Sequence, residues 1–112
     1  MTERERRGDS MKGFSFKDVL ACFKERGLLK GENYTLTENY DSIVVFSKEN
    51  RRRRVIVFPT DFRSDDDEYS VGVWESKEGY GIGEVYMESG ITDLGDLVKY
   101  YKEARKIADE RA

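Results

Sequence analysis

Ser42-Ile-Val-Val-Phe-Ser-Lys-Glu-Asn-Arg-Arg-Arg-Arg-Val-Ile-Val-Phe-Pro59 reads as two strands and the reversal between them. β-Branched and aromatic residues fill 42–48 and 53–58, and a polar link around Glu49-Asn50-Arg51 separates them. Pro59 has no amide proton to donate and closes the second ladder. A link this short forces the strands antiparallel, and that pairing sets the fold class.

Working outward, Tyr34 to Glu38 reads as a preceding strand, with Asn39-Tyr-Asp-Ser42 as its turn. Tyr69 to Glu75 and Tyr80 to Glu88 read as a last hairpin around Ser76-Lys-Glu-Gly79, after a polar loop at 60–68. Helical signals bracket the strands. Ser15 and Asp18 have the spacing of a capping box, Phe14 and Val19 that of a hydrophobic staple, and Phe16, Val19, Leu20 and Phe23 share one helical face. Gly27 is placed to end this helix, predicted over 16–26, with Leu28 folding back on it. Thr92 is the expected cap of a second helix, whose stripe is Leu94, Leu97, Val98, Tyr101, Ala104 and Ala108. The expectation is an α+β two-layer sandwich: an N-terminal helix, a four- to five-stranded antiparallel meander and a C-terminal helix, with both helices on one face. Residues 14–112 form the single domain, and 1–13 are expected to be a mobile charged arm.

Composition narrows the chemistry. The chain has 112 residues, 20 Lys+Arg against 23 Asp+Glu and a net charge of −3. It has no His and no Gln, three Asn, one Cys and one Pro, a bias that matches thermophile proteins. Without His there is no Ser/His or Cys/His nucleophile pair, and a zinc site built from one Cys is excluded. One Cys also excludes an internal disulfide. No apolar run approaches the roughly 20 residues that span a bilayer, and the N-terminus lacks a signal peptide's apolar stretch, so a cytoplasmic location is expected. The acidic residues Asp61, Asp65, Asp66, Asp67 and Glu68 lack the alternating spacing of a calcium loop and read as a solvated loop. Gly79-Tyr-Gly-Ile-Gly83 opens no helix and is no phosphate cradle; Gly81 and Gly83 are expected to make room for a large neighbour such as Trp74. Cys22 reads as a packing residue. Nothing here supports catalysis, a metal, a cofactor or a small-molecule substrate.

The sheet's second face carries the functional signal. Helices cover one face, and the other is normally polar. Here Val44 and Phe46 oppose Ile43 and Val45 in the pleat, Ile56 and Phe58 oppose Val55 and Val57, and Trp74 opposes Val71 and Val73, so bulky side chains lie on both faces. Arg52, Arg54, Ile56 and Phe58 share one side of the third strand. Guanidinium groups beside aromatic rings suit single-stranded nucleic acid, with phosphates taking the charge and bases stacking on rings. The candidate site is Arg51, Arg52 and Arg54 for phosphate, with Phe58, Phe46 and Trp74 for stacking. Phe46 joins Phe58 on one face only if the link between their strands has odd length, which the sequence leaves open.

The element order, with aromatics and arginines along Arg51 to Phe58 and the thermophile-like composition, resembles the ThermoDBP-like family of archaeal single-stranded DNA-binding proteins. The resemblance implies a sheet cleft where hydrophobic and basic side chains meet DNA, and a dimer. It assigns no individual residue. The competing expectation is a protein-interaction module, an accessory or viral protein whose apolar sheet face forms a homodimer or docks a host protein.

Overall fold

The chain runs α1 (Phe16–Glu25), β1 (Asn33–Thr37), β2 (Ser42–Phe46), β3 (Arg53–Pro59), β4 (Tyr69–Lys77), β5 (Gly81–Ile91) and α2 (Leu94–Ala108) in the computed structural model. Residues 14–37, 41–60, 68–79 and 81–110 are described. The expected arm at 1–13, residues 38–40 at the expected strand end and turn, the acidic run 61–67 and Tyr80 lie outside them. The five strands form one antiparallel sheet in the order β1-β2-β3-β4-β5, so each pairs with its neighbours in sequence. The fold is the expected α+β two-layer arrangement, with five strands.

Period-2 alternation divides the strands between two faces. Ile43, Val45, Val55, Val57, Val71 and Val73 are fully buried on the side that faces the helices. α2 covers this side with Leu97, Val98, Tyr101, Ala104 and Ala108, all buried. α1 adds Val19 and Phe23, and the Phe23 ring lies 4.8 Å from that of Tyr101. Phe14, just ahead of α1, stacks on Tyr69 at 5.5 Å. These residues belong to one contiguous core.

The helix ends follow their local signals. The Ser15 side chain accepts from the Asp18 amide while the Asp18 carboxylate accepts from the Ser15 amide at 2.8 Å, completing the capping box. At the other end, Gly27 has φ +69, its N–H donates to Lys24 O, and the Leu28 N–H donates to Phe23 O. That pair of bonds is a Schellman motif, which a residue with a Cβ enters only under strain. The cap of α2 differs from expectation by one residue. β5 continues to Ile91, and the Asp93 carboxylate rather than the Thr92 hydroxyl accepts from the Asp96 amide, at 3.1 Å. Carboxylate caps are at least as effective as threonine and also suit the positive end of the dipole. The last hairpin is tighter than expected, with Lys77 paired to Gly81, and two register shifts interrupt the β4–β5 ladder.

The β2–β3 link is tied to the C-terminus of α2. Arg53 shares its side of β3 with Val55 and Val57, and its guanidinium donates to the Ile107 carbonyl at 2.6 Å and to Glu75 at 2.7 Å. A cation on an open helix carbonyl satisfies an orphan acceptor and the negative end of the dipole. Buried Asn50 donates its side-chain amide to the Glu110 carbonyl at 2.7 Å, and the Ser47 hydroxyl donates to Asp109 at 2.7 Å.

Replacing Arg53 with Met should remove the bond to Ile107 and cost about 1–3 kcal/mol of unfolding free energy in urea denaturation. The same variant reports on pH. The Glu75 carboxyl is held below its ordinary pKa, chiefly by the hydrogen bond from Arg53. Such a group stabilises the fold above its unfolded pKa and loses that contribution as pH falls through the lowered folded value. The thermal midpoint of Arg53→Met should therefore fall less than that of the wild type between about pH 6 and pH 3; parallel curves would exclude this linkage.

Candidate nucleic-acid interface

The open face of the sheet is set by cross-strand register. Phe46 pairs with Arg54, Arg54 with Trp74 and Trp74 with Glu84, while Asn33 pairs with Phe46 on the outer side. Cross-strand partners project to the same face, so one row across the sheet reads Asn33, Phe46, Arg54, Trp74, Glu84. The next row is Thr35, Val44, Ile56, Gly72, Met87, and Phe58 pairs with Ser70 beyond it. The seven-residue interval between Phe46 and Arg54 is odd, and Phe46, Phe58 and Trp74 therefore share a face with Arg54.

Within that face the side chains form two groups. In the first, Trp74 lies along β4 over Gly72. A Cβ at residue 72 would stand 2.7 Å from indole Cη2 and Cζ3, and 2.9 Å from the Tyr86 carbonyl oxygen. Only glycine leaves that space, and the indole meets the Phe58 ring with centroids 5.9 Å apart and planes tilted by 56°. The expectation that Gly81 and Gly83 make room for Trp74 is corrected here. A Cβ at Gly81 meets nothing within 4 Å, and one at Gly83 meets the Lys77 side chain. Both ring residues are half-buried.

The second group is basic. The Arg54 guanidinium lies over the Phe46 ring, 5.8 Å from its centroid, and donates to the Ser76 hydroxyl, while its Nε is buried without a hydrogen-bond partner among the described residues. Arg51 and Arg52 are exposed at the hairpin tip, and Arg52 reaches Glu78 at 3.9 Å with both side chains largely in solvent. The four consecutive arginines thus divide by position. Arg53 is structural, Arg54 packs on the open face, and Arg51 and Arg52 stand away from the core. Beside Phe46, an open depression of about 440 Å³ is lined by Asn33, Phe46, Ser47, Lys48 and Arg51. Asn33 and Lys48 were not among the residues singled out from sequence. Lys48 adjoins a strand end, and Asn33 enters only through its register with Phe46.

Among the described residues no helix is long and apolar enough to cross a membrane. No family model, no curated protein and no solved structure matches this chain.

The Trp74 seat gives a direct test. Gly72→Ala should lift the indole off the sheet, shift the emission of the chain's single tryptophan, and destabilise the fold by about 1–3 kcal/mol. Unchanged emission and stability would show that the ring does not depend on that space.

Proposed function

We propose that the open sheet face binds single-stranded nucleic acid, DNA or RNA, without catalysis. The observation that carries this reading is the shared face of Phe46, Arg54, Phe58 and Trp74, with Arg51 and Arg52 at its end. Half-exposed rings offer sequence-tolerant stacking at about 1–3 kcal/mol per base, and the flanking cations meet phosphate. A net charge of −3 argues against indiscriminate duplex binding, which needs dense positive charge. It leaves room for a short single strand held at a local basic end. This reading agrees with what the ThermoDBP-like resemblance implies: a sheet cleft of hydrophobic and basic side chains.

Fluorescence anisotropy with labelled single-stranded oligonucleotides tests it. The double variant Arg51→Ala, Arg52→Ala should bind more weakly, and the slope of log affinity against log salt should shrink by about 0.7 for each phosphate that is no longer neutralised. Both residues are exposed, so the fold should be unaffected. Unchanged affinity and slope, in a wild type that binds, would overturn the assignment.

A second reading rests on the row Val44, Ile56, Gly72, Met87, which runs apolar across the open face. Such a band suits closure by a second copy of the chain. Phe58→Asp should then convert a dimer to a monomer in light scattering, in a protein that binds no oligonucleotide; a wild type that is monomeric at high concentration would rule this out.

A further inference from the structure

We infer that β1 is an interface between two copies of this chain, which pair antiparallel through their outer edges about a twofold axis at Thr35 and join their two sheets into one. Among the described residues the large hydrophobic side chains left exposed are Leu36, Ile82 and Val85, and all three stand on the edge strands β1 and β5. An edge strand offers a row of backbone donors and acceptors to any strand that can lie beside it. Proteins usually spoil that template with charge, proline or a bulge.

β5 carries such protection. Glu84 and Glu88 lie along it, and its ladder with β4 shifts register twice, once at Val85. β1 has none. Asn33-Tyr-Thr-Leu-Thr37 contains no charged residue and no proline, and its five pairs with β2 run without a shift. Glu32, just ahead of it, is drawn to Arg105 at 3.1 Å. Leu36 pairs with the core residue Ile43 and so lies on the helix side, yet it is 39% exposed because α2 packs across β3, β4 and β5.

The strand is also complementary to itself. With Thr35 on the axis, Thr35 meets its own copy, Tyr34 faces Leu36 of the partner subunit on the helix side, and Asn33 faces Thr37 of the partner subunit on the open side. Every pair projects to one face and no like charges oppose, which is what cross-strand pairing favours. Tyr34 already packs against the core, so its contact with the second Leu36 extends that core across the axis. A slip of one residue would set helix-side residues against open-side ones. This contact closes after two copies, whereas β1 laid on β5 would grow an open fibre and meet Glu84 and Glu88. It also leaves both open faces uncovered and on one side of the joined sheet. The row Trp74, Arg54, Phe46, Asn33 then continues into Thr37 and Ser42 of the partner subunit.

Light scattering after size exclusion tests the interface, at high concentration because a contact this short lies at the small end of specific ones. The wild type and Ile82→Lys should have twice the chain's mass, and Leu36→Lys the mass of one chain, with circular dichroism confirming that the exposed substitutions leave the fold in place. In a Cys22→Ser background, Thr35→Cys should give a disulfide-linked dimer on mild oxidation. Asn33→Cys should not, because its two copies stand four residues apart along the strands, about 13 Å. A monomeric wild type, a dimer that survives Leu36→Lys, or equal cross-linking at 33 and 35 would overturn the interface and leave the single-strand reading untouched. Dimers lost in Phe58→Asp but kept in Leu36→Lys would move the contact to the open face and overturn it as well.

Discussion

The β2–β3 reversal is held by the C-terminus of α2, and the placement of the open face follows from that attachment. Helix α2 ends with carbonyls that have no partner inside the helix. Arg53 at the start of β3 donates to Ile107 O, and from the short segment between the two strands Asn50 donates to Glu110 O and Ser47 donates to Asp109. Because β3 alternates, an Arg53 turned toward the helix requires Arg54 to turn away from it. The attachment therefore fixes more than the hairpin's position. It also fixes which arginine is consumed by structure and which faces outward, and a one-residue slip would exchange them.

The same parity explains how an acidic chain carries a basic corner. Arg53 is neutralised by Glu75, and Glu110 lies 3.4 Å from it, so this guanidinium adds little to the field over the open face. Arg51, Arg52 and Lys48 lie at the opposite extreme, in solvent at one end of the sheet. The middle of the face is apolar, and its far side, at β5, carries Glu84 in line with Trp74 and Arg54. The face is thus graded from cationic through aromatic to acidic. On the reading proposed above, such a gradient would orient a bound strand and limit its length on the sheet, because Glu84 would repel phosphates beyond Trp74.

Much of the fold was readable from local chemistry. The capping box at Ser15 and Asp18, the glycine stop at Gly27 and the 3.6-residue stripe of α2 each depend on neighbours within one or two turns, so the sequence alone displays them. Alternation within β3 likewise put Arg52, Arg54, Ile56 and Phe58 on one side. The unreadable parts all involve two distant segments. Whether Phe46 joined Arg54 depended on the β2–β3 register, the seat of Trp74 lay across Gly72 rather than the glycines of β5, and Asn33 reached the site only through pairing with Phe46. The roles of Asn50 and Arg53 were hidden because their partners lie more than 50 positions away, at the end of α2. Asp93 took the cap from Thr92 because β5 runs on to Ile91, which is a property of the β4–β5 pairing.

The absence of histidine gives the open face a particular electrostatic character. Its cations are arginine and lysine, and its stacking groups carry no charge. On the single-strand reading, an interaction with phosphate on this surface would respond to ionic strength, while the aromatic contribution would not. The two contributions can be separated on that basis. Affinity that survives at high salt would then measure Phe46, Phe58 and Trp74, and the part that salt removes would measure Arg51, Arg52, Arg54 and Lys48. Because Arg54 stacks on Phe46 and is held by Ser76, removing it disturbs both contributions at once, which makes it the residue where charge and stacking are coupled.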